Sequence, residues 1–398
     1  MPKQKIITRV VLLVSLVSLF TDIASEMLYP VMPVFLKSIG FSVILISLLE
    51  GVAEATAGLS KGYFGNLSDK KGVRLPFVRW GYTLSAISKP LIAAFVFPLW
   101  IFFARTLDRL GKGIRTSARD AMLSDETTKE NKGKVFGFHR ALDTIGAAIG
   151  PIVALIYLYY YPGEYFWLFI IAFFPGMIAI SFTFFIKEKK KSTTTEKKSP
   201  GFFSYLKYWK KSPTLYKKLV IGLLLFTLFN SSDALLLLNL NKTGFSDTKV
   251  ISFYIFYNLV FALASYPLGV LADKLGMKKI LIAGLFLFAI VYFFFGFAVT
   301  GWHFLALFLI YGIYAASTEG VSKAWITNIS NKNEIATAIG FYNSLASICA
   351  MLASAIAGIL WFTFSPTVMF MTSGIGVALV VVYLLTIKEN LQKQETNT

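Results

Sequence analysis

Twelve apolar stretches, each about 20 residues or longer, occupy nearly all of this chain. A helix of roughly 20 residues spans the hydrocarbon core of a bilayer. The stretches cover 8–37, 41–64, 76–97, 98–124, 134–160, 165–186, 216–240, 248–268, 279–298, 302–328, 335–362 and 366–387. At these lengths only a helix satisfies its own backbone in lipid. Composition agrees: 56% of residues are hydrophobic and 15% charged, against about 25% charged in soluble domains. A soluble surface cannot be covered with so few charges. The single cysteine, Cys349, excludes an internal disulfide framework. Lys3, Lys5 and Arg9 precede the first apolar run as in a signal peptide, but no small-residue cleavage site follows. It reads as a retained first span.

The formal net charge of +18 resembles that of a nucleic-acid binder. Its distribution argues otherwise. Eleven lysines lie between Lys187 and Lys218, in a polar segment between the sixth and seventh stretches. Further basic residues follow the second (Lys70, Lys71, Arg74), fourth (Lys129, Lys132, Lys134), eighth (Lys274, Lys278, Lys279) and tenth (Lys332). The alternate loops are nearly bare, with Lys37, Lys242 and Lys249 as exceptions. Positive loops stay in the cytoplasm. Both termini are therefore expected there, in a multi-pass plasma (inner) membrane protein with no nucleic-acid partner. The same charge favours contact with anionic lipid headgroups. The expected organisation is a six-helix half over 1–187, a cytoplasmic basic linker over 188–214, a second six-helix half over 215–389 and a tail over 390–398.

The two halves repeat. Gly65-Asn66-Leu67-Ser68-Asp69-Lys70-Lys71-Gly72-Val73-Arg74 recurs 204 residues later as Gly269-Val270-Leu271-Ala272-Asp273-Lys274-Leu275-Gly276-Met277-Lys278. Gly40-Phe41-Ser42 and Gly244-Phe245-Ser246 share that offset, and Gly137-Phe138 and Gly340-Phe341 differ by 203. Matches in one register indicate duplication. Two six-span halves joined by a loop are a carrier's layout. The fold expected is all-α and integral to the membrane, with twelve helices in two pseudo-symmetric halves.

The repeated Gly-x-Leu-(Ser/Ala)-Asp-Lys-x-Gly-x-(Arg/Lys) segments, read as loops, resemble the signature of the major facilitator superfamily, and the resemblance covers essentially the whole chain. Gly65 and Gly269 would let a helix end approach its neighbour, and Gly72 and Gly276 would supply a positive φ. Asp69 and Asp273 can accept from a helix N-terminus, with Arg74 or Lys278 as ion-pair partners. The resemblance implies that this set latches the cytoplasmic side in an outward-open state. Gly146-Ala147-Ala148-Ile149-Gly150-Pro151 resembles the core of that family's antiporter motif, but lacks the trailing glycine pair. Glycines at i and i+4 also permit plain close packing, and Pro151 bends the helix.

Charged residues at membrane depth cost roughly 2.5–3.5 kcal/mol each and usually mark function. Asp22 and Glu26 share one face of the first span, and Glu50 and Glu54 one face of the second. The third carries Arg79 and Lys89. The fourth carries a stripe of Arg105, Asp108, Arg109, Lys112, Arg115 and Arg119, and the fifth His139, Arg140 and Asp143. The second half holds only Asp233, Glu319 and Lys323. Asp22 and Glu26 are expected to approach the basic stripe. A neighbouring arginine that moves away would let a carboxylate take a proton. Asp22, Glu26, Glu50, Glu54, Asp108 and Arg109 are thus the expected coupling set. Permanent ion pairs between helices are the alternative, favoured for Arg115, Arg119 and Arg140. Tyr29, Lys89, Arg105, Asn230, Asp233, Asn258, Glu319 and Lys323 are the candidate cavity residues. Aromatics considered with them are Phe35, Tyr82, Phe229, Tyr254, Tyr257, Tyr311, Tyr314, Trp325 and Tyr342. The runs Arg105–Arg115 and Thr318–Ala324 resemble a bacterial branch of the superfamily with a charged fourth span and no defined substrate.

The expected activity is transport of a small molecule by alternating access, first as proton-coupled export of an amphipathic organic compound. Proton symport of an organic anion and lipid flipping are the alternatives. No enzyme is expected, since His139 and His303 are the only histidines and no phosphate-binding Gly-Lys-Ser/Thr loop occurs. No cofactor or metal is expected. The partners are a small-molecule substrate, protons and the lipid bilayer, with the chain as a monomer.

Overall fold

The computed structural model describes residues 6–188 and 201–388. The first half contains α1 (Arg9–Leu28), α2 (Met32–Ser38), α3 (Val43–Lys71), α4 (Leu75–Ala94), α5 (Pro98–Asp125), α6 (Lys132–Tyr160) and α7 (Tyr165–Phe184). A short α8 (Tyr208–Lys211) precedes the second half. There follow α9 (Thr214–Phe229), α10 (Asp233–Lys242), α11 (Asp247–Leu275), α12 (Met277–Phe295), α13 (Gly301–Ile329), α14 (Ile335–Thr363) and α15 (Pro366–Thr386). Side-chain oxygens of Thr8, Ser42 and Ser365 accept the orphan N–H three residues on, which fixes the starts of α1, α3 and α15. Among the described residues nine segments are long and apolar enough to cross a membrane. α3, α4 and α5 are the consecutive helices missing from that set, and they carry most of the charge that lies inside the spans.

Two expected spans are broken. The first divides into α1 and α2 at Tyr29–Val31, beside Pro30 and Pro33, which remove backbone donors. The seventh divides into α9 and α10 at Asn230–Ser232, where the Ser232 hydroxyl caps α10 by accepting from the Ala234 N–H. The two breaks open corresponding helices of the two halves. Interrupted helices at matched positions are the usual mark of a carrier's binding site.

The signature segments also differ from expectation. Gly65–Lys71 is the last part of α3 and not loop, and Gly269–Leu275 likewise ends α11. The turns proper are short. Gly72 (φ +64°) and Gly276 (φ +101°) turn the chain in the left-handed region that a side chain resists.

α1 packs on α6 and α7, and α3 on α5. α11 packs on α13, and α9 on α14. The halves join along two seams, α3 with α14 and α6 with α11. Lys189, Lys190, Lys191, Lys197 and Lys198 of the linker lie outside the described residues, as does the tail over 390–398. The described end of the linker is packed. Tyr205 is buried against Gly62 of α3 and Ser344 of α14, and the ring of Phe202 stacks on Tyr63 at 5.3 Å.

Candidate functional site

The two seams close at one end only. Along α3 and α14, Gly58 lies against Ser347, Gly62 against Ser344 and Gly65 against Ala336. A side chain at Gly65 would strike the Ala336 carbonyl, and one at Gly269 the Gly133 carbonyl. The Asp69 carboxylate accepts from the Thr337 N–H and hydroxyl, both at 2.6 Å, and from Arg74 Nη2 at 2.5 Å. Asp273 accepts from the N–H groups of Gly133 (2.7 Å) and Lys134 (2.8 Å). Each half thus offers one carboxylate to the positive end of a helix in the other half. Lys132 Nζ adds a bond to the Thr327 carbonyl at 2.8 Å. Lys278 does not pair with Asp273. Its ammonium donates to the carbonyls of Leu385 (3.2 Å) and Ile387 (2.6 Å) at the end of α15. The chain turns at Gly276 alone, which puts Lys278 in the first turn of α12.

Away from these seams the halves part around a cavity of about 1030 Å³. Asp22, Glu26, Tyr29, Glu50, Glu54, Arg109, Asn230, Asp233, Asn258, Glu319 and Lys323 all line it. Lys89, Arg105 and Asp108 do not. They form a buried cluster behind the wall: Lys89 pairs with Asp108 at 3.3 Å, and Arg105 with Asp108 at 3.5 Å and Glu50 at 2.8 Å. Arg109 reaches Glu50 (3.8 Å) and Glu54 (3.7 Å), at the cavity edge of that cluster.

A second network crosses the cavity floor. Arg140 of α6 pairs with Asp143 at 2.5 Å and with Glu319 of α13. Arg119 pairs with Asp120 at 2.9 Å and approaches Asp143 at 3.9 Å. Lys323, one turn past Glu319 on α13, pairs with Asp120 at 2.9 Å. The result is a circuit of three acids and three bases that ties α5 and α6 of one half to α13 of the other. A buried pair costs little once complete and much when one member is lost. Ser18 carries the network on to α1, accepting from Arg119 at 3.1 Å and contacting His139 at 2.9 Å.

Gly146 and Gly150 bring α1 and α6 together. A side chain at Gly146 would meet the Leu19 carbonyl and Asp22, and one at Gly150 would meet Met27 and Ile23. Three residues before Gly146, the Asp143 carboxyl lies beside that of Asp22. Sequence reasoning placed Asp22 opposite the basic stripe and left Asp143 out of the coupling set. Lys112 and Arg109 of that stripe are the cations that act most strongly on Glu26, and among the described residues none pairs with it within 4.0 Å.

The opposite wall has another character. Phe226, Tyr254, Tyr257, Tyr314 and Tyr342 face the cavity from the second half. Asp233 accepts from the Tyr311 hydroxyl at 2.7 Å. The Asn230 amide donates to Tyr314 at 3.3 Å, leaving its oxygen unpartnered. Of the other aromatics considered, Phe35, Tyr82, Phe229, Tyr311 and Trp325 do not line the cavity.

A membrane-embedded helical bundle whose two halves close at one end around a polar cavity has a carrier's architecture. The family model of the Major Facilitator Superfamily matches residues 14–256 and 232–398, and the chain belongs to that family. It is 31% identical to an uncharacterized MFS-type transporter of Methanocaldococcus jannaschii, over 91% of this chain and 90% of the other. It is 24% identical to the multi-drug resistance efflux pump PmrA of Streptococcus pneumoniae, over 68% of this chain and 69% of the pump. The crystal structure of the human organic anion transporter MFSD10 superposes with a TM-score of 0.82 at 16% identity, covering 94% of this chain and 99% of that one.

Proposed function

We propose that this chain exports an amphipathic organic compound across the plasma (inner) membrane by alternating access, in exchange for protons. The contact between Asp22 and Asp143 carries this reading. Two neighbouring carboxyls repel when both are ionised, which favours a proton on one of them. Arg119 and Arg140 flank the pair, and both belong to the circuit that joins the halves. When the halves rock, Arg140 must part from Glu319 or from Asp143. A cation leaving Asp143 favours proton uptake there, and its return favours release. Movement of the halves and movement of a proton are then one event. Glu26, Glu50 and Glu54 with Arg109 form the outer part of the same wall and extend the polar path.

The closed end carries the basic turns, which the positive-inside tendency assigns to the cytoplasm. The cavity then faces outward. The aromatic wall against a charged wall suits a compound with an apolar body and a polar end. The relative named as a multi-drug resistance efflux pump supports the direction of transport. Flux of a panel of amphipathic compounds through proteoliposomes, with and without an imposed pH gradient, tests the reading. Accumulation that follows the gradient is expected. Flux that ignores the gradient for every compound would overturn it.

A further inference from the structure

The cavity lining carries as many acids as bases, seven of each, but not all of them are paired. The outer cluster is internally paired, since Glu50 and Glu54 take Arg105 and Arg109 while Lys89 takes Asp108. The floor circuit is also internally paired, through Arg119, Arg140 and Lys323. Between these two levels lie Lys61 of α3 and Lys112 of α5. Neither makes an ion pair within 4.0 Å among the described residues, although both line the cavity. The strongest charge acting on Lys61 is that of Lys112, a like charge. Lys61 Nζ finds only the Ser347 hydroxyl at 3.5 Å. Glu54, the carboxylate that acts most strongly on Lys112, pairs with Arg109 at 3.7 Å, although Lys112 is the stronger charge on it. One turn before Ser347 on α14, the side-chain Nδ2 of Asn343 is buried at the cavity wall with no acceptor. Two ammonium groups and an amide N–H therefore line one stretch of the cavity, where Glu54 and Glu26 act on Lys112 without an ion pair within 4.0 Å. Lysines held this way can take an anion. Bringing two like charges together in a low-dielectric cavity raises the local potential, and a bound carboxylate or phosphate would relieve it.

Across the cavity stand Phe226, Tyr254, Tyr257 and Tyr314. We infer that the transported molecule is an amphipathic organic anion, its carboxylate or phosphate held by Lys61, Lys112 and Asn343 Nδ2, its apolar body on this aromatic wall. The inference rests on the proposed export reading and narrows its substrate class. It also gives the lysines a part distinct from coupling, because neither belongs to the circuit that joins the halves.

Matched naphthalene compounds test it on the full chain in lipid nanodiscs: 2-naphthoate, 2-naphthyl phosphate, 2-naphthyltrimethylammonium and inorganic phosphate. Binding is read by titration calorimetry, with empty nanodiscs as the blank. One or both aromatic anions are expected to bind, the ammonium compound not, and inorganic phosphate at least about tenfold more weakly for want of an apolar body. The preferred anion tells carboxylate from phosphate. Lys61→Gln and Lys112→Gln are each expected to weaken that anion by about tenfold or more, as loss of a charge-assisted bond does. Lys61→Arg is expected to restore most of it. Equal binding of the ammonium compound, no binding of either aromatic anion, or unchanged anion binding in both glutamine variants would overturn the inference. Gel filtration and thermal unfolding confirm that the variants fold. The export reading fails separately, on flux that ignores the pH gradient. Gradient-driven flux of the ammonium compound would sink the anion site and leave export standing.

Discussion

The two halves share a backbone plan and differ in what they present to the cavity. In the first half α1, α3, α5 and α6 supply carboxylates, arginines and lysines. In the second, the lining joins six aromatic rings with small polar residues, and Asp233, Glu319 and Lys323 are the charged exceptions. Duplication kept the parts that geometry demands. The carboxylates Asp69 and Asp273, the glycines Gly65 and Gly269 and the left-handed turns at Gly72 and Gly276 serve both halves alike. The side chains facing the cavity were free to diverge. One wall is lined by charged side chains, and the other by aromatic rings and small polar groups.

Several substitutions break or sharpen this contrast. The largest effect is expected at the circuit that joins the walls. Arg140→Ala leaves Asp143 and Glu319 without their guanidinium; because Arg140 and Glu319 are partly exposed, the cost is expected at about 1–3 kcal/mol, below that of a fully buried pair. Thermal unfolding in detergent reads it. A cost under about 1 kcal/mol would mean that water already replaces the pair. Next come the two carboxylates at the closed end. Asp69→Asn removes charge from a site that serves two donors of Thr337 and the Arg74 guanidinium. Asp273 serves two backbone N–H groups and is less buried. Asp69→Asn is therefore expected to open the closed end more readily than Asp273→Asn, read as cysteine accessibility at the seams. An equal effect would show that the two carboxylates kept their symmetry in energy as well as in plan.

On the aromatic wall, Tyr257→Ala is expected to weaken substrate binding by roughly tenfold, within the range of about 0.5–1.5 kcal/mol for an aromatic contact beyond its buried area. Coupling to the pH gradient should survive. A lost gradient dependence would erase the division between the walls. The smallest effect is expected at Lys278, which bonds the end of α15 and not Asp273. Lys278→Ala should change stability and gating by no more than about 0.5 kcal/mol, as at an ordinary surface site.

Much of this molecule was legible before its coordinates. Apolar length located many of the helices to within a few residues, as for the span expected over 302–328 and found as Gly301–Ile329, while α3 and α11 run on through the signature segments. The family followed from the duplicated signature. The breaks were harder to see. Pro30 and Pro33 signalled the first, but at the second only the polar trio Asn230-Ser231-Ser232 interrupts an apolar run, and hydropathy averages it away. Lys89, Arg105 and Asp108 were expected at the cavity or in coupling because they share a span with residues that face it. Helical spacing fixes which residues share a face, and it cannot say which neighbour that face meets. For the same reason Asp143 and Asp120 were missed as members of the floor circuit. Their partners lie on α1, α5 and α13, and only packing brings those helices together. The available signal was their position next to arginines on charged faces.

The central claim is that the coupling proton belongs to the first half. Proteoliposome flux under an imposed pH gradient tests it most directly, comparing Asp22→Asn and Asp143→Asn with Asp233→Asn in the second half. Gradient-driven accumulation should vanish in the first two variants while exchange of substrate across the membrane continues. It should persist in Asp233→Asn. Full gradient-driven accumulation in Asp22→Asn, or its loss in Asp233→Asn alone, would contradict the claim.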